Sequence, residues 1–166
     1  MDILHLHLLL NHLPIVGVPI GAAMLAWGLW RRERAVQRAT LGLLVIVGAL
    51  AVPVFLTGEP AEERVENLAG VSEETIGRHE DVATSTMIMT GLLALVAAGG
   101  LVVSRRGRPL PRGLVLATLA GALIASSMLA ATGFLGGQIR HTEIGASGAP
   151  SAPQGDESRE GRRGDQ

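Results

Sequence analysis

Four apolar stretches dominate the chain, at residues 8–30, 39–57, 82–104 and 113–137, and none of them contains Asp, Glu, Lys or Arg. A helix needs about 20 mostly apolar residues to cross a bilayer, so each stretch predicts one spanning helix. The fold expected is all-α: an integral membrane four-helix bundle over residues 1–142. Residues 143–166 are Gly-, Ser- and Pro-rich and charged. That composition cannot bury an apolar core and reads as a disordered polar tail.

The polar positions between the stretches set an orientation. The connection at residues 31–38 reads RRERAVQR, with four arginines and one glutamate, and that at 105–112 reads RRGRPLPR, with four arginines and no acid. Residues 59–81 carry eight acids against Arg64 and Arg78. Arginine-rich loops stay on the cytoplasmic side. The acidic loop and both termini are therefore expected on the extracytoplasmic side, with Trp27 and Trp30 in the inner interfacial belt. No basic segment precedes the first apolar run, so the first helix is expected to stay in the mature protein rather than leave as a signal.

Local signals refine the elements. Pro14, Pro19 and Pro53 lie inside apolar stretches and should bend their helices, since each lacks an N–H and crowds the preceding turn. In the acidic loop, Pro60 suits the first turn of a helix over residues 61–69, closed by Gly70. Ser72 can cap a further helix, with Glu73 and Glu74 in its first turn, running through His79 into the third span. Small residues recur four apart: Gly17 and Gly21, then Thr90, Ala94 and Ala98, then Ala117, Gly121 and Ala125, then Gly133 and Gly137. Such faces let membrane helices approach closely, and they are compatible with a homo-oligomer.

Composition agrees with a bilayer protein: 48% of residues are hydrophobic and 17% charged, with mean hydropathy +0.36. The net charge of −1 gives no basic field for nucleic acid. Absence of cysteine excludes disulfides, thiolate zinc sites and iron–sulfur clusters. No charged residue lies in any span, which argues against a secondary transporter or proton relay. No nucleophile–base pair, phosphate-cradling glycine loop or HExxH motif occurs, so no catalytic residue is assigned and no independent enzymatic activity is expected.

The histidines carry the candidate chemistry. His5, His7 and His12 precede or open the first span, His79 precedes the third and His141 follows the fourth. All five therefore gather on the outer side. Neutral imidazoles ligate haem iron, copper or zinc; they also serve as plain interfacial polar groups or pH sensors. Haem b held by two histidines takes one from each of two facing helices, and His12 and His79 fit that role. The same two would hold copper or zinc. His7 and His141 are the next candidates. Positions 7 and 12 differ by about 140° around a helix and cannot easily share one site. Glu59 and Glu80 lie at the same level and are candidate acceptors for orienting imidazole N–H groups.

Two segments resemble a known family. HLLLNHLPI (residues 7–15) resembles the opening H-x-x-x-x-H-F-P-I of a bacterial membrane family designated domain of unknown function 2231, and TGFLGGQIRH (residues 132–141) resembles its closing segment. Leu13 stands where that family has Phe, and Thr142 where Gly follows the last histidine. The T-G-E-P and H-E of the acidic loop are similar to stretches of related bacterial membrane proteins. The resemblance implies a four-helix domain, with His7, His12, His79 and His141 at the family's histidine positions. It also implies a multi-pass protein of the bacterial cytoplasmic membrane with cytochrome c or another redox protein as partner. The reading is a haem-b-type electron-transfer or redox subunit; a non-catalytic scaffold or assembly subunit and a copper or zinc protein are the alternatives.

Overall fold

A computed structural model describes residues 3–63, 73–105 and 108–140. Among these, regular structure is helical and no strand occurs. The helices are α1 (Ile3–Leu10), α2 (His12–Trp30), α3 (Arg34–Leu56), α4 (Gly58–Glu62), α5 (Glu73–Val103) and α6 (Arg112–Arg140). Four segments, Ile3–Trp30, Arg34–Leu56, Glu73–Val103 and Arg112–Ile139, are long and apolar enough to cross a membrane. The chain is a membrane protein by that measure, and each apolar stretch of the sequence coincides with one of these segments, with only Thr57 and Ser104 lying one residue past an end.

The first segment is interrupted at Asn11. Pro14 supplies no N–H to the carbonyl of Leu10, and its ring crowds that carbonyl. The ladder resumes on either side: Asn11 N–H donates to His7 O at 2.9 Å and Ile15 N–H to Asn11 O at 3.3 Å. The two helices thus follow one another as a single membrane-length segment. Pro19 and Pro53 lie inside α2 and α3 without ending them. At the end of α3 the Thr57 hydroxyl donates to Pro53 O at 2.8 Å. Pro60 falls in the first turn of α4, as expected, while residues 64–72, which hold the rest of the expected loop helix and Ser72, lie outside the described residues. Glu73 and Glu74 open α5, where they complement the positive end of the helix dipole, and α5 runs on through His79 into the apolar third span.

The turn from α2 to α3 shows how tightly the helices are joined. Glu33 N–H donates to Gly28 O at 2.9 Å and Arg32 N–H to Leu29 O at 3.3 Å, the paired bonds of a Schellman ending. Arg32 sits at φ 59, a left-handed conformation that usually falls to glycine. Buried Gln37 reaches back from α3 and donates to the second lone pair of Gly28 O at 3.0 Å.

Packing follows a ring: α2 lies on α3 and α6, and α5 lies on α3 and α6. The core joins Val18 and Ala22, Leu41, Leu44 and Val47, Leu93 and Ala97, and Ala122, Ala125 and Leu129. Small residues allow this closeness within the chain itself. A Cβ on Gly17 would stand 2.7 Å from Val47 Cγ2, and one on Gly21 2.7 Å from Leu44 Cδ2. One on Gly48 would stand 2.4 Å from Ala94 Cβ. On α6 the buried stripe is Val115, Thr118, Ala122, Ala125 and Leu129, and Ala117 is exposed. The expected face through Ala117, Gly121 and Ala125 is therefore rotated. Strict four-residue spacing drifts around a helix of 3.6 residues per turn, whereas the contact follows alternating threes and fours.

Outside the ring the surface is apolar, with Leu95 70%, Leu56 68% and Ile88 61% exposed. Large apolar side chains over a whole bundle surface call for a hydrocarbon surrounding rather than water.

Candidate functional site

Short connections at residues 31–33 and 104–111 make successive long helices antiparallel. The start of α1, the end of α3, α4, the start of α5 and the end of α6 meet at one end of the bundle, and the arginine-rich turns lie at the other. His5, His7, His12 and His79 all belong to the first end. His141 lies outside the described residues.

Two of these histidines turn inward. His7 is half-buried, with Nδ1 3.1 Å from Val54 O and 3.1 Å from Thr57 Oγ1. A carbonyl oxygen only accepts, so Nδ1 of His7 carries the proton and Nε2 presents its lone pair. The Thr57 hydroxyl gives its own proton to the α3 backbone, which frees its oxygen to accept from the same N–H.

His79 is arranged in the same way from a different pair of helices. Its Nδ1 lies 3.1 Å from Thr132 O on α6, so it too is protonated at Nδ1 and open at Nε2. The contact depends on Gly136. A side chain there would lean back over the turn that contains the Thr132 carbonyl, and its Cβ would stand 3.1 Å from His79 Cε1. Two turns further along α5, Thr86 shares a hydrogen bond at 2.9 Å with Thr132 between their hydroxyls, tying α5 to α6 beneath the ring. His7 and His79 lie within electrostatic reach of each other.

Helix phase explains why these two face inward. His79 continues the α5 stripe of Thr86, Thr90, Leu93, Ala97 and Gly100, and His7 continues the stripe of Pro14, Val18, Ala22 and Leu25. His12 is exposed and its Nδ1 bonds at 2.6 Å to Leu8 O of its own turn; His5 is exposed as well. Of the two first-helix histidines expected near His79, His7 is thus the one turned inward, and His12 bonds to its own helix. Glu59 and Glu80 are exposed, and neither is bonded to an imidazole among the described residues. The orienting acceptors are the carbonyls of Val54 and Thr132 with the Thr57 hydroxyl. A main-chain acceptor leaves no residue-type signature, although Gly136 beside a histidine-bearing helix was a readable trace of close approach.

Comparison with protein-family models, curated proteins and solved structures finds no match for this chain. The site therefore rests on its own chemistry. It offers two imidazoles from two helices, each with Nδ1 held by a main-chain carbonyl. Among the described residues no group of three or more His, Asp or Glu side chains comes together to hold a metal ion.

Proposed function

We propose that the chain is a haem-b-type electron-transfer subunit, in which His7 and His79 would hold the haem iron. The observation that carries this reading is the matched pair of inward imidazoles, each held by an Nδ1–H bond to a main-chain carbonyl. Ligating histidines are typically fixed in this manner, which sets the tautomer and raises the basicity of the other nitrogen. Donor count then favours haem over a bare ion. Closed zinc sites take four protein ligands and catalytic ones three, whereas haem supplies four of its own and asks the protein for one or two. Copper or zinc would need further donors beyond this pair.

The arginine-rich turns at the opposite end support a cytoplasmic location for that end and an outer location for the pair. Together with the resemblance of the first and last segments to an uncharacterised bacterial membrane family, this points to a multi-pass protein of the bacterial cytoplasmic membrane. Cytochrome c or another redox protein would then exchange electrons with it at the outer face. The scaffold alternative drew on small-residue faces. Gly17 and Gly21 already pack against Val47 and Leu44 within the chain, and Gly21 is buried there.

Purified from haem-replete cells, the protein should show a Soret band and a reducible α band, with iron by elemental analysis. A colourless, iron-free preparation would overturn the reading, and copper or zinc in its place would move the site to the metal alternative. Gly136→Val should lower haem content while leaving the helical circular dichroism unchanged, because the new side chain displaces His79 from the Thr132 carbonyl. Loss of an orienting partner typically costs about 10–100-fold in metal affinity. Full haem content in that variant would show that the Thr132 contact does not hold the ligand.

A further inference from the structure

Two buried polar atoms lack a hydrogen-bond partner among the described residues, Asn11 Oδ1 and Thr90 Oγ1. Thr90 is 2% exposed. The other buried threonines, Thr40, Thr86 and Thr118, each donate to the carbonyl four residues earlier. That bond is available to any helical threonine and needs only one rotation about χ1. Thr90 does not make it. A buried hydroxyl without a partner is destabilising, so a further polar partner belongs at this position.

The surroundings show where that partner comes from. His79, Thr86 and Thr90 share one face of α5. Thr86 meets the Thr132 hydroxyl at 2.9 Å, and Thr132 O takes the His79 N–H. Asn11 follows His7 by one turn, and Ile15, one turn further, lies 3.6 Å from the Cβ position of Gly133 on α6. Along the bundle axis Asn11 thus lies nearer the histidine end than Thr86, and Thr90 lies one turn beyond Thr86.

We infer that water enters the bundle at the histidine pair and forms a short file ending at the Thr90 hydroxyl, with Asn11 Oδ1 at its mouth. Side chains one helical turn apart have Cβ atoms about 5–6 Å from each other. One water spans that gap between two hydroxyls with hydrogen bonds of about 2.8 Å. Buried water requires 2–4 polar partners, and Thr86, Thr90 and Thr132 supply them. The water path stands on these residues alone. A consequence for the iron rests on the haem reading: hydration beside the pair stabilises the more highly charged, oxidised centre.

The absence of cysteine from the chain makes the test direct. Single variants Thr90→Cys, Leu93→Cys and Leu95→Cys of the full chain are placed in liposomes and exposed to silver ion, which enters only where water does. They are then denatured and alkylated. Thr90→Cys should lose its alkylation, whereas buried Leu93→Cys and lipid-facing Leu95→Cys keep it. Equal alkylation at positions 90 and 93 would overturn the inference. Thr90→Val gives a second reading. With water present the substitution removes one of its partners and the melting temperature falls; in a dry interior it removes an unmet hydroxyl and the melting temperature rises. A rise would also overturn the inference. A colourless preparation with a silver-blocked Thr90→Cys would remove the haem reading and leave the water path standing.

Discussion

Replacing His79 by alanine should abolish the proposed haem binding, and His7→Ala should do the same, while His12→Ala leaves the absorption spectrum unchanged. The three residues differ in where their rings point, not in chemistry. His7 and His79 project into the bundle, with Nδ1 fixed by Val54 O and Thr132 O. His12 is exposed and bonds to its own helical turn. Loss of an outer-sphere partner already weakens a metal site about 10–100-fold, and loss of the ligand itself should exceed that. The expected result is little or no Soret absorbance per chain in either inward variant, with helical circular dichroism retained. If His12→Ala lost haem and His7→Ala kept it, the pairing proposed here would be wrong. Thr57→Val offers a milder comparison. It removes one of two acceptors at His7 Nδ1 and leaves the Val54 carbonyl, so it should weaken retention without abolishing it.

The largest expected effect on stability is at Gly48. A Cβ there would stand 2.4 Å from Ala94 Cβ and 3.4 Å from Thr90 O. Carbon atoms rest at about 3.5–4.0 Å, so α3 and α5 must separate by more than an ångström to admit one methyl group. At Gly17 the obstructing atom is the end of the Val47 side chain, which can rotate. At Gly48 it is a Cβ and cannot. Overpacking of this kind typically costs about 1–3 kcal/mol, and Gly48→Leu should prevent accumulation of folded protein. The compensating change identifies the cause. Ala94→Gly in the Gly48→Ala background removes the opposing methyl and should restore most of the lost stability, giving a favourable coupling in a double-mutant cycle. Thermal unfolding in detergent measures both. A melting temperature for Gly48→Ala equal to that of the parent would mean that α3 and α5 are not in such close contact.

Much of the architecture was legible because membrane helices announce themselves by length and apolarity. The long α5 was also readable, since Glu73 and Glu74 suit a helix start and nothing between them and the third span breaks a helix. What could not be read was rotation. α2 is apolar all round, with almost no preference for one side, so hydropathy does not say which face meets its neighbours. That phase is set by Gly17 and Gly21 against α3, and it carries His7 inward and His12 outward. The resembling motif contains both histidines and so could not choose between them. The displaced face on α6 has a related origin, because Ala117 and Thr118 are equally acceptable to lipid and only contact with α2 and α5 decides between them. The acceptors were hidden for a different reason. Every residue has a carbonyl, and only the fold brings those of Val54 and Thr132 to an imidazole, whereas Glu59 and Glu80 drew notice by residue type alone.

The central claim is that His7 and His79 converge through their Nε2 atoms on one iron. Electron paramagnetic resonance of the oxidised, purified protein tests it most directly. A low-spin ferric signal from two axial imidazoles, lost in both His7→Ala and His79→Ala, is the expected result. A high-spin signal, or a low-spin signal that survives either substitution, would contradict it.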